Sequence, residues 1–120
     1  KNAYVLNNYS YYLALRNVQL DKALTLSKEL VSSNPDQYNY LDTDAWVLFK
    51  KGDFQEALIW IEKSLANGGN EHAAILEHYG DILWKNGKTS QAIEQWQKAL
   101  SLDDTRSLLK EKVNKKSYIE

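Results

Sequence analysis

The chain has 120 residues, with 15 basic and 16 acidic side chains, a net charge of −1 and no cysteine. This length is one domain's worth of chain. The near-neutral balance gives no electrostatic case for nucleic acid or an anionic membrane surface. The absence of cysteine excludes disulfides and thiolate metal sites. No apolar run approaches the roughly 18 residues of a membrane span.

From Lys1 to Arg16, Leu6, Tyr9, Ser10 and Leu13 recur at spacings of three and four, which predicts one buried helix face. After a turn over residues 17–19, a second such face runs from Leu20 to Ser33, carrying Ala23, Leu24, Leu30 and Val31. Asn34-Pro35 ends it, because a residue before proline avoids the helical region. Tyr38 to Lys50 follows, with Leu41, Ala45 and Leu48 inward. Gly52 suits a left-handed helix end. Asp53 with Glu56 predicts a capping box for a helix that buries Phe54, Ala57, Leu58, Ile61 and Leu65. The loop Ala66–Asn70 leads to a third hairpin. It has Leu76, Tyr79, Gly80 and Leu83 before Gly87, and Ala92, Ile93, Trp96, Ala99 and Leu100 after it. Asp103-Asp104 predicts the start of a last helix, reaching about Ser117. Its Leu109 and Val113 are apolar, and Arg106, Lys110, Lys112, Lys115 and Lys116 are expected on a solvated face.

Leu6, Leu41 and Leu76 are 35 residues apart, as are Ser10, Ala45 and Gly80, then Leu13, Leu48 and Leu83, then Asn17, Gly52 and Gly87. Agreement of four registers at one period marks an internal repeat. A helical hairpin cannot bury its apolar side alone, so repeated hairpins stack and share a core. The small residues Ser10, Ala45 and Gly80, opposite Ala23, Ala57 and Ala92, are expected to let helix backbones approach.

This pattern resembles the tetratricopeptide repeat (TPR) family. The resemblance is clear in Leu41…Ala45…Leu48…Gly52-Asp53-Phe54…Ala57…Ile61 and in Leu76…Gly80…Leu83…Gly87…Ala92…Trp96…Ala99, and looser in the first repeat. It implies an all-α superhelix of three hairpins, over about residues 3–37, 38–71 and 73–106, closed by a capping helix over about 104–117. Asp44, Lys51 and Ser64 depart from the family pattern. A charge at Asp44 requires either solvent or a specific partner nearby. The immediate helical pattern and the lack of methionine give the expectation of a C-terminal piece of a longer bacterial TPR protein. The tyrosine- and asparagine-rich style of NNYSYYLALRN resembles exported bacterial TPR proteins, which leans towards a periplasmic or envelope location, with the cytoplasm as the alternative.

The resemblance also implies a concave groove lined by the first helix of each hairpin. Carried onto this sequence, its partner-binding residues are Asn7, Tyr11, Asp42, Trp46, Phe49, Glu77, His78, Asp81 and Trp84. The aromatics among them lie off the leucine face, and aromatics beside polar groups are what interface centres use. The family's lysine–arginine–asparagine clamp for a terminal carboxylate is not matched. Asp42 and Glu77 are expected to repel a carboxylate and to favour a neutral, aromatic or basic ligand. His72 and His78 are six apart and cannot share a metal from one helix face. No phosphate loop or nucleophile motif is present. The expected function is therefore non-catalytic and cofactor-free: a groove for an unidentified protein or peptide, without nucleic-acid binding or membrane insertion. The alternative is the closing end of a longer solenoid used for self-association as a homo-oligomer or for assembly.

Overall fold

The computed structural model describes residues 2–119, so Lys1, where the helical pattern begins, lies outside the described residues. Among the described residues seven α-helices follow one another: α1 (Ala3–Leu15), α2 (Leu20–Ser33), α3 (Tyr38–Lys50), α4 (Phe54–Ala66), α5 (Ala73–Lys85), α6 (Thr89–Leu102) and α7 (Ser107–Lys115), with a short 3₁₀ turn at Gly69–Glu71. Helices α1–α2, α3–α4 and α5–α6 pair as hairpins, and α2 on α3, α4 on α5 and α6 on α7 stack them into a body of 42 × 25 × 24 Å.

The three hairpin turns share one hydrogen-bond scheme. The N–H groups of Val18, Asp53 and Lys88 reach back to the carbonyls of Leu13, Leu48 and Leu83 at 3.1, 2.9 and 2.9 Å. Such a closure needs a left-handed residue just before the donor. Gly52 (φ +87°) and Gly87 (φ +81°) supply it, and in the first turn Asn17 does (φ +56°). With Val18's N–H so engaged, Gln19 also turns left-handed to start α2, which accounts for the extra residue there.

The capping box expected at α4 does not form. Asp53 sits at the N-cap, but its backbone (φ −91°, ψ 67°) is not the extended conformation that aims a side chain back at the helix, and it makes no cap bond. Glu56 instead accepts from the Trp60 indole at 3.0 Å. The last helix also begins later than the sequence suggests. Asp103 Oδ1 accepts from the Thr105 N–H at 3.0 Å and hydroxyl at 2.6 Å, closing a turn rather than capping a helix.

Leu41, Leu48, Leu76 and Leu83 are all buried. One apolar cluster runs through the first two hairpins into α5, and a second joins α5, α6 and α7 around Trp96, which is wholly enclosed. The departures from the repeat pattern have local partners. Asp44 is buried and accepts from Ser27 Oγ at 2.7 Å and Lys28 Nζ at 2.8 Å, so it requires no solvent. Lys51 pairs with Asp21. Ser64 donates to the Tyr38 carbonyl at 2.8 Å and packs beneath Gly69. Gly80 has a different role from the expected helix contact with Ala92. A Cβ there would lie 2.3 Å from Nε1 and 2.4 Å from Cδ1 of Trp96, so the glycine makes room for the indole.

Candidate binding groove

Helices α1, α3 and α5 turn one side towards a shared cavity of about 520 Å³, whose remaining wall comes from α7 and the chain beyond it. Of the nine residues read from the sequence, Tyr11, Trp46, Phe49, Glu77, His78 and Asp81 line it. Asn7 and Asp42 are buried and do not reach it. Trp84 turns away to stack on Trp96, ring centres 5.7 Å apart, and packs against the second core cluster. Trp46 and Phe49, expected to stand off the core, are themselves core. The Trp46 ring is held between Phe49 at 4.6 Å and His78 at 3.9 Å.

Two polar assemblies sit under this surface. In the first, His78 Nδ1 donates to Asp42 Oδ1 at 2.9 Å. In the tautomer protonated at that nitrogen, Nε2 is the acceptor for the Tyr11 hydroxyl at 3.4 Å. Burial and then the Asp42 charge push the Tyr11 phenol up to about 12, which keeps it a donor.

The second assembly centres on Lys112, 2% exposed although it belongs to the helix expected to be solvated. Its Nζ donates to Glu77 Oε2 at 2.8 Å and to the two Asp81 oxygens at 2.8 and 3.0 Å. Arg106 Nε adds a bond to Glu77 Oε1 at 2.9 Å, and the Trp96 indole donates to Asp81 Oδ1 at 3.1 Å. Burial raises the Glu77 carboxyl, but two cations outweigh it and hold the group below its ordinary value. Asp81 is more deeply enclosed and, among the described residues, pairs with Lys112 alone, so burial wins and pushes it up to about 6.

These pairings correct the expected electrostatics. Glu77, Asp81 and Asp42 are engaged by cations or imidazole and do not present an acidic stripe. The charged lining comprises Lys50, Lys85, Arg106 and Lys112 against Glu77 and Asp81, a positive excess. Among the described residues no carboxylate lies within ion-pair distance of Lys50 or Lys85, and each ammonium stands over an aromatic ring instead. Beneath the surface, Trp46 Nε1 and Asn7 Oδ1 are buried without a hydrogen-bond partner among the described residues. No group of three or more metal-ligating side chains occurs among them, and no helix there is long and apolar enough to cross a membrane.

The contributions of Arg106, Leu108, Lys112, Tyr118 and Ile119 escaped the sequence reading. The one available signal was that Lys112 lies 35 residues after Glu77, in the repeat's own register.

Stacked helical hairpins, a closing helix and a lined inner cavity define a helical-repeat solenoid. Residues 73–106 match the tetratricopeptide repeat family model. The first TPR of Spaghetti (RPAP3) bound to the HSP90 peptide SRMEEVD is similar in structure at 15% identity, with a TM-score of 0.83, covering 95% of this chain and 89% of that one. The first TPR domain of human RPAP3 gives the same identity and score over 95% and 88%. YrrB, a TPR protein with an unusual peptide-binding site, is 20% identical with a TM-score of 0.79, over 96% of this chain and 58% of that one. No curated protein matches the sequence. The chain thus has the fold of tetratricopeptide repeat structures, and its third hairpin matches that family's repeat.

Proposed function

We propose that this chain is a non-catalytic protein-interaction module that receives a peptide or an extended partner segment between α1, α3, α5 and α7. The observation that carries this is the 520 Å³ cavity. Its floor is aromatic and its acids are already paired, while Lys50 and Lys85 stand beside it without carboxylate partners among the described residues. Aromatic surface buries much area at small rotamer cost, and a rim cation steers and orients a partner. The likeness to TPR structures described with peptide sites supports the same reading. A ligand of this groove is aromatic with neutral or acidic flanks, because the lining is net positive.

Trp46 is too deeply packed to serve as a binding probe, since its removal would disturb the fold. A photo-crosslinking side chain placed at Lys50 or Lys85, and for comparison at the exposed Ile59 on α4, is the appropriate test. Partner adducts are expected from positions 50 and 85 and not from 59. Adducts from 59 alone would remove the groove from consideration.

A second reading, the end of a longer solenoid, is favoured by one face of α1. Val5, Tyr9 and Tyr12 are exposed there. One repeat later, Asp44 meets Ser27 and Lys28 on α2, and two repeats later Tyr79 meets Glu62 on α4. Val47 and Ile82, the equivalents of Tyr12, are fully covered. The α1 face thus has the chemistry that accepts a preceding helix. Sedimentation at rising concentration separates this from self-association: a monomer throughout would exclude pairing of two copies through this face.

A further inference from the structure

Beyond α7 the chain repeats the turn used between the hairpin helices. Lys116 is left-handed (φ +52°), and the Ser117 N–H reaches the Lys112 carbonyl at 3.2 Å, as Val18, Asp53 and Lys88 do in their turns. No helix follows. The described residues beyond Lys116, 117–119, are irregular, and Tyr118 and Ile119 are part of the cavity's lining. The Tyr118 ring meets Phe49 edge-on with centres 6.1 Å apart, lies 4.9 Å below Lys85 Nζ and 5.5 Å from Lys112 Nζ, and packs against both core clusters. Helices α3, α5 and α7 therefore build one seat for an aromatic ring, with cations on its faces.

We propose that this seat is the anchor subsite of the groove, and that a partner enters it by replacing Tyr118 with an aromatic side chain of its own. The partner is an extended segment carrying an aromatic residue with an acidic neighbour, the acid meeting Lys50 or Lys85. The inference rests on the groove being the binding face and specifies what the groove recognises. The segment is suited to exchange: it lies outside any helix, and the ring that seats it is only half-buried and can be copied by a partner's aromatic side chain. A short tether corresponds to a millimolar effective concentration, which an external segment must exceed or out-bind.

The experiment uses the full chain and a synthetic peptide, Lys-Ser-Tyr-Ile-Glu, copied from residues 116–120, acetylated and amidated so that its ends add no charge. Binding is followed by NMR titration. The Tyr118→Ala chain is expected to bind the peptide at least about ten-fold more tightly than wild type, because the competing ring is gone. Replacing the peptide's tyrosine by alanine is expected to abolish binding, and Lys85→Glu in the Tyr118→Ala chain to weaken it several-fold. In wild type, millimolar peptide is expected to move the Tyr118 ring signals towards those of an unstructured chain, a readout independent of how well the variant folds. Equal affinity of the two chains, binding indifferent to the peptide's tyrosine, or unmoved Tyr118 signals would each overturn the proposal. Partner crosslinks from Lys50 and Lys85 persisting alongside such a result would leave the groove reading intact and remove only the aromatic exchange.

Discussion

Tyr11 and His78 touch although 67 residues and a whole hairpin separate them: the phenol oxygen lies 3.4 Å from the imidazole Nε2, and the rings are 6.1 Å apart. The superhelix curls tightly enough for the first and fifth helices to meet across Trp46 of the third. The contact ties the two ends of the groove together.

Removing only the hydroxyl tests that tie. Tyr11→Phe should lower stability by about 1 kcal/mol, the usual net worth of one hydrogen bond. His78→Ala should cost more, about 2–3 kcal/mol, because it strips the stacking surface from Trp46 and leaves the buried Asp42 carboxylate without its donor. Urea denaturation measures both. Absorbance at 295 nm should show the Tyr11 phenol titrating near 12.

Lys112 is the keystone of the second assembly. Lys112→Met keeps most of the side chain's volume but, among the described residues, leaves Asp81 without an ion partner and Glu77 with Arg106 alone. Breaking a buried pair from one side typically costs about 3–5 kcal/mol. Adding Asp81→Asn to Lys112→Met should recover part of that loss, because the uncompensated charge is gone. A urea series on the single and double variants checks the order.

Asp81 gives stability a definite pH slope. Its folded value is about 6 against an ordinary 3.8, so the fold favours the protonated acid. The contribution is fully present below the ordinary value and is lost as pH rises through about 6. Relative to Asp81→Asn, wild type should lose on the order of 2–3 kcal/mol between pH 4 and pH 7. Glu77, held below its ordinary value, works in the opposite sense: its contribution is present above that value and is lost on acidification. Thermal melts of wild type and Asp81→Asn across this window isolate the Asp81 slope. A carboxyl carbon titration should place its midpoint near 6.

The glycines make a contrasting pair. Gly80→Ala should lower stability although alanine is the better helix former by about 1 kcal/mol. The new methyl would overlap the Trp96 ring, and overpacking of this kind costs about 1–3 kcal/mol or more. Gly52→Ala meets nothing within 4 Å, so its cost is confined to the left-handed backbone, about 1 kcal/mol. Chemical denaturation should rank Gly80→Ala as the worse, with altered Trp96 fluorescence.

The amino-acid sequence alone determined the helices, the turns and the repeat. Leucine spacing sets which face of each helix is buried, and Asn17, Gly52 and Gly87 set where each hairpin reverses. Both are local properties, readable within a dozen residues. The lining of the groove was only partly legible, because it depends on which helix faces which across three hairpins. Nothing local distinguishes Lys112, which is enclosed, from Lys110, which is exposed. Nor does it separate Trp84, which leaves the groove for Trp96, from Trp46, which lines it. Those assignments belong to the tertiary structure. Only stacking brings Glu77 and Asp81 to a single ammonium, and only the turn at Lys116 returns Tyr118 to Phe49. A buried charge is placed by partners distant in the chain, whereas a leucine is placed by water alone.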